Sequence, residues 1–193
     1  VSEASRSRPA TPWPPVATDP VEVHPDAPGP GTKLPMHYVE CFGCGEVESG
    51  LHIQSTVGEQ QRVFSQFKVT EAHQGAPGLA HGGLLACAFD EALGAAVGNL
   101  LHRPAVTGKL ETDFLRPVPV GSTLFIATIV DGVAGRKIYA SAEGRLDGED
   151  GPLALRARGL FVQVGVEHFT KHGHPDALEK LRRSHEGDWD INP

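Results

Sequence analysis

Three cysteines are scattered through 193 residues, too few and of the wrong parity for a disulfide framework, so a reducing compartment is expected. Basic residues are also outnumbered: 17 Lys and Arg against 24 Asp and Glu leave a formal net charge of −7. No nucleic-acid partner is expected, because neutralising phosphates takes clustered cations, and an anionic small ligand would need a local basic patch. An unbroken run of about 20 apolar residues, the signature of a bilayer-spanning helix, is missing. The opening VSEASRSRPATPWPP lacks the apolar stretch of a secretory signal. A cytoplasmic chain with no membrane span is the resulting expectation. No GxSxG sequence occurs, which disfavours a serine hydrolase of the α/β type.

What is present suits one domain with tails. Residues 1–34 are rich in Pro, Ser, Thr and Gly without periodicity and read as an extended or disordered arm. The folded unit is expected over 35–170. GLHIQSTV and QRVFSQFKV, separated by GEQ, read as a hairpin. A helix follows from Gly82 to about Leu100, then a strand in AVTGKLETDFL. The runs TLFIATIV, KIYASAEGRL and LALRARGLFVQV follow, with turns in DGVAGR and DGEDG. Short turns between the late strands favour an antiparallel sheet packed on one long helix, an α+β layout. Residues 171–193 form a tail in which Pro175 opens a short helix. The long helix is apolar nearly all round, and one sheet covers only one side of it. A second copy of the chain is the simplest cover for the other side.

Against that background Asp90 and Glu91 stand out in the middle of GLAHGGLLACAFDEALGAAV. A buried carboxylate needs a partner or a pKa shift, so Asp90 reads either as a side chain at a wet edge or as a general base or nucleophile in a partly dry cleft. Glu91 lies about 100° further round the helix and cannot serve the same site equally, so one of the two is expected to be structural. The His-Gly-Gly at 81–83 supplies the complementary half. The first N–H groups of a helix lack intrahelical partners and sit at its positive end, and glycines let a carbonyl approach them closely. That is the chemistry of an oxyanion site.

HGGLLACAFDEA resembles the signature of the PaaI-like acyl-CoA thioesterases of the hotdog superfamily. AVTGKLETDFLRPVPVGS and the upstream CFGCG and GL are similar too, so the resemblance spans roughly Tyr38 to Val166. It implies a hotdog fold, a long helix wrapped by an antiparallel sheet, homodimers often paired into tetramers, and hydrolysis of acyl-CoA without a metal or other cofactor. By position, it makes Asp90 the catalytic acid or base and Gly83 the carbonyl-polarising N–H, with Gly82 and His81 as supports. Thr107 is the nearest match to a threonine that assists catalysis in mammalian long-chain members, although it sits one residue later. Gly83 and Asp90 are seven residues apart, roughly 10 Å along a helix axis. One thioester carbon cannot touch both in one chain, so each site is expected to draw Asp90 from one subunit and Gly83 from the other.

Other residues carry competing readings. Cys41-x-x-Cys44, with His37 before it and His52 after it, has the residue types of a zinc site. A second cysteine pair is missing and the resemblance implies a turn, so no metal is expected there. Cys87 reads as a small packing residue, and His81 as a brace for the loop ahead of a general base. Among Arg116, Arg136, Lys137, Arg156 and Arg158, the hairpin-base pair Arg136 and Lys137, together with Arg116, are the candidates for contact with the phosphates of CoA. Two rivals remain: a hotdog hydratase, whose paired Asp and His are not found, and an acyl-CoA-binding or regulatory hotdog domain without turnover.

Overall fold

The computed structural model describes residues 12–176 and residue 178. Alternating burial makes its strands. In β2 (Val63–Lys68), Val63, Ser65 and Phe67 point inward, and in β6 (Thr123–Ala134), Leu124, Ile126 and Thr128 do the same. With β1 (Gln54–Val57), β5 (Ala105–Phe114), β7 (Lys137–Leu146) and β8 (Leu153–Gln163) they form one antiparallel sheet in the order β1-β2-β6-β7-β8-β5. The long helix α1 (Gly82–Leu101) packs on the sheet, preceded by a two-stranded hairpin of β3 (Gln74–Ala76) and β4 (Leu79–Ala80). A short helix, α2 (Val166–His172), follows the last strand. This is the expected α+β hotdog layout.

Several local expectations need correction. β6 runs on through Asp131–Ala134, where a turn was expected. A register shift between Val130 and Gly132 absorbs the Gly, and the chain reverses only at Gly135-Arg136. The β3–β4 hairpin and α2 were not foreseen, because each is too short to show a period. The helix expected from Pro175 onward lies largely outside the described residues.

One face of α1 is dry. Ala88, Phe89, Ala92 and Leu93 are fully buried, and Phe89 fills the space above Gly144 of β7. A Cβ on Gly144 would stand 2.6 Å from the Phe89 ring, so glycine is what lets the strand pass so close. By length and composition α1 could cross a bilayer, but Asp90 and Glu91 interrupt its apolar run. Its apolar face is spent on the sheet instead.

The other face shows a second correction. A second copy was expected to cover it, yet part is covered by the chain's own N-terminal segment: Leu34 packs on Ala96 and Leu100, and the turn at 37–44 lies over Glu91. The same segment runs extended along the domain from residue 12. Trp13 stands edge-on to Tyr139 at 5.4 Å and donates to Asp131 at 2.8 Å. The His24 N–H donates to the Leu100 carbonyl at the C-terminal end of α1. Leu34 N–H donates to Ser55 O and Val57 N–H to Thr32 O, which closes the free edge of β1. β5, at the opposite edge, pairs only with β8 among the described residues.

Gly144→Ala should therefore lower stability by about 1–3 kcal/mol, the usual penalty for overpacking a core. It would appear as an earlier urea midpoint with an unchanged slope. Adding Phe89→Leu should recover part of the loss. A single variant as stable as the parent would show that the ring does not occupy that space.

Candidate active site

Asp90 projects from the middle of α1 toward the start of β5, where the Thr107 hydroxyl donates to its Oδ1 at 2.8 Å. Thr107 reaches it although it sits one position later than the family threonine, and a register shift between Thr107 and Lys109 follows immediately. Burial raises the Asp90 pKa above its ordinary value; the Thr107 hydrogen bond opposes the shift and the neighbouring Glu91 charge adds to it. A carboxylate so placed is a stronger base than one in water.

Asp90 and Thr107 border a cavity of about 270 Å³ whose apolar wall includes Val97, Val106 and Phe161. Glu91, His37 and Cys41 border it too. Glu91 turns away from Thr107: its Oε1 lies 3.4 Å from His37 Nδ1, and its Oε2 lies 3.4 Å from Cys41 Sγ. The two carboxylates thus point apart, one toward Thr107 and one toward the 37–44 turn. The Cys41 thiol is held well below its usual pKa, first by a hydrogen bond from Cys44 and then, against the effect of burial, by His37. Cys44 is pushed up correspondingly.

At the N-terminal end of α1, His81 is the N-cap, and its Nδ1 accepts from the Gly83 N–H at 2.9 Å. The backbone donor expected to face a substrate carbonyl is therefore taken by the adjacent imidazole. The position carried over for Gly83 thus has a competitor in the His81 ring. Gly82 lies in a separate cleft of about 260 Å³ with Phe114, Leu115 and Arg116, where Arg116 Nε also donates to Leu153 O at 3.1 Å. The Asp90 cavity and the Gly82 cleft share no lining residue. Within one chain the structure does not bring the two halves of the expected site together.

The basic candidates fall in different places. Arg136 and Lys137 are exposed at the β6–β7 turn, with Lys137 opposite Val162, one position from the Phe161 that walls the Asp90 cavity. Arg156 donates to Glu143 at 3.0 Å, and Arg158 lies 5.7 Å from the Trp13 ring. Sequence reasoning missed the convergence of His37, Cys41 and Cys44 on Glu91. Cys-x-x-Cys was a visible signal, but nothing local tied it to a glutamate 50 residues later. The histidine proposed downstream, His52, is not a member of the cluster: its ring meets the Gly45 carbonyl at 3.0 Å.

Comparison with known proteins agrees with the fold and places the chain. The thioesterase superfamily model matches residues 77–152, which hold both α1 and Thr107. The Pseudomonas aeruginosa protein PA0474 is 35% identical over 104 residues, 53% of this chain and 75% of that protein. The acyl-coenzyme A thioesterase THEM4 of Bos taurus is 33% identical over 123 residues, 62% of this chain, and the chain spans only half of that relative's length. The PaaI protein of E. coli, from the phenylacetic acid degradation operon, superposes with a TM-score of 0.54 at 23% identity, covering 60% of this chain and 81% of that one, a likeness of fold. The chain belongs to the thioesterase superfamily.

Replacing the cap tests the geometry of the helix start. His81→Ala should reduce the unfolding free energy by about 1 kcal/mol, as N-cap losses do, whereas His81→Asn, which can still accept from Gly83, should keep most of it. Equal stability for all three proteins in denaturant titrations would mean that the imidazole does not cap α1.

Proposed function

We propose that the protein hydrolyses acyl-CoA thioesters to free acid and CoA. The observation that carries this reading is the Asp90–Thr107 hydrogen bond at the mouth of a cavity with an apolar wall, in a chain of the thioesterase superfamily. Asp90 either takes a proton from water as the water oxygen attacks the thioester carbon, or attacks that carbon itself to give an anhydride that water then cleaves. In both routes the carbonyl oxygen becomes an oxyanion that displaces His81 from the Gly83 N–H and is held at the positive end of α1. The C–S bond then breaks: in the first route the proton held by Asp90 passes to the departing thiolate of CoA, and in the second CoA leaves as the thiolate and takes its proton from the water that cleaves the anhydride and restores the Asp90 carboxylate. Thr107 orients the carboxylate.

The working unit is a homodimer, acting either alone or as a dimer of dimers. The two separate half-sites support the dimer, as do the open edge of β5 and the exposure of Phe114 and Leu115 beside it. Arg136, Lys137 and Arg116 contact the phosphates of CoA, and the protein acts in the cytoplasm. The alternative, an acyl-CoA-binding domain without turnover, has one observation in its favour: the Gly83 N–H is already engaged.

A thiol-release assay over straight-chain and aryl acyl-CoAs separates the two readings. Asp90→Asn should cut kcat at least about 100-fold while leaving the fold intact, within the range for removal of a general base. Normal turnover in a folded Asp90→Asn protein would remove Asp90 from the chemistry. His81→Ala should lower kcat/KM by less than about tenfold, since a brace, unlike a base, is partly dispensable.

Mixed dimers test the shared site. Let one subunit carry Asp90→Asn and the other Gly83→Pro, which removes the amide hydrogen at a position in the first helical turn. One site then collects both lesions and the other none, so about half of the parental activity should return in doubly tagged dimers, although each homodimer is nearly inactive. Activity near zero in the purified mixed dimer would place both residues of a site on one chain.

A further inference from the structure

His37, Cys41 and Cys44 come from a single turn, and Glu91 comes from α1. One donor atom from each lies within 4.8 Å of all the others. Cys44 Sγ lies 3.1 Å from His37 Nδ1, His37 Nδ1 3.4 Å from Glu91 Oε1, and Cys41 Sγ 3.4 Å from Glu91 Oε2. Zinc bonds of about 2.3 Å to sulfur and 2.0–2.2 Å to nitrogen and oxygen give a tetrahedron with edges of roughly 3.3–3.8 Å. The cluster is already close to that size. We propose that His37, Cys41, Cys44 and Glu91 form a closed zinc site that clamps the 37–45 turn onto α1 beside Asp90.

The donor types choose the metal. Two thiolates and an imidazole suit zinc and not magnesium or calcium, which take oxygen donors in larger number. Four protein ligands leave no open position, so the ion is structural, and the hydrolytic chemistry at Asp90 remains metal-free. Three of the donors are anionic when they bind a metal. Groups of one sign gathered at one point repel unless a cation or shared protons stand between them, and zinc takes the place of those protons.

The surrounding backbone is shaped to the cluster. The Gly43 N–H donates to Cys41 Sγ at 3.3 Å, the kind of outer contact that stabilises a metal-bound thiolate. A Cβ on Gly43 would overlap the Glu91 carboxylate, so a side chain there would displace Glu91 from its place in the cluster. The turn is closed within itself, where Gly45 N–H donates to Cys41 O at 3.0 Å, and pinned from outside, where Leu51 N–H donates to Phe42 O at 2.8 Å and Ile53 N–H to Gly43 O at 2.9 Å. His37 and Cys41 also wall the Asp90 cavity. An ion at this point therefore holds one wall of that cavity in register with the helix that carries Asp90.

The site is tested on the full chain, purified without a polyhistidine tag from zinc-supplemented cells, with readouts independent of catalysis. Elemental analysis should find about one zinc per chain. Replacement by Co²⁺ should give the thiolate charge-transfer bands and strong visible bands of a tetrahedral site. Cys44→Ser and Glu91→Gln should lose the metal, and Cys87→Ser should keep it. Should Cys44→Ser fail to fold, alkylation of the parent decides the location: Cys41 and Cys44 should be protected until a chelator is added, while Cys87 should react at a rate the chelator does not change. Chelation should also lower Tm. Zinc below about a tenth of an equivalent, a Cys41–Cys44 disulfide in freshly isolated protein, or full zinc retention in Glu91→Gln together with unprotected Cys41 and Cys44 would each overturn the proposal.

Discussion

The hydrogen bond from Thr107 to Asp90 joins the edge strand of the sheet to the helix that fills its concave side, and it does so at a point where a bare carboxylate would be costly. Removing an ionised carboxylate from water without compensation costs several kcal/mol. Asp90 meets that cost with one hydroxyl and a remaining opening to the cavity, which leaves its pKa raised. Full compensation would have produced an inert ion pair. The reactivity proposed for this group depends on the compensation being partial.

Glu91 meets the same constraint differently. Its neighbours are an imidazole and a thiol carried by the N-terminal turn, so the second carboxylate secures a segment whereas the first borders the cavity. α1 can bear both because its opposite face is dry. Phe89 and Leu93 are sealed against the sheet, helped by the absence of a side chain at Gly144, and that burial sets the rotation of the helix. Once the rotation is set, Asp90 faces β5 and Glu91 faces residues 37–44. The segment ahead of Pro35 extends the same role, since Trp13, His24 and Leu34 bind it to the sheet and to the end of α1.

The middle and the N-terminal start of α1 stay chemically separate within a chain. Asp90 has its cavity, and Gly82 has a cleft with Arg116 and Phe114. A rigid helix cannot bring positions 83 and 90 to one atom, because they remain roughly 10 Å apart along its axis. Joining them takes a second helix running the opposite way, which is why the proposed activity is bound to the proposed dimer.

The features legible in the amino-acid sequence are those written in near neighbours. Alternating apolar and polar residues announce most of the sheet, an apolar run with His-Gly-Gly at its start announces α1, and the odd presence of Asp90 within that run points to the cavity that Asp90 borders. Thr107 is reached through resemblance, and its contact with Asp90 follows from strand β5 lying beside the helix. Other features have no local trace. Asp131–Ala134 looks like a turn because Asp and Gly favour turns, but pairing with β7 and a register shift carry the strand through. The N-terminal segment has no period, because it binds through isolated contacts made to surfaces that exist only after the sheet has formed. Glu91 looks like a spare carboxylate along the chain, since its partners lie about 50 residues upstream. Periodicity and turn chemistry act over a few residues and can be read along the chain, whereas the convergence of distant side chains depends on the rotation of a packed helix and the path of a loop across it, which only the folded core defines.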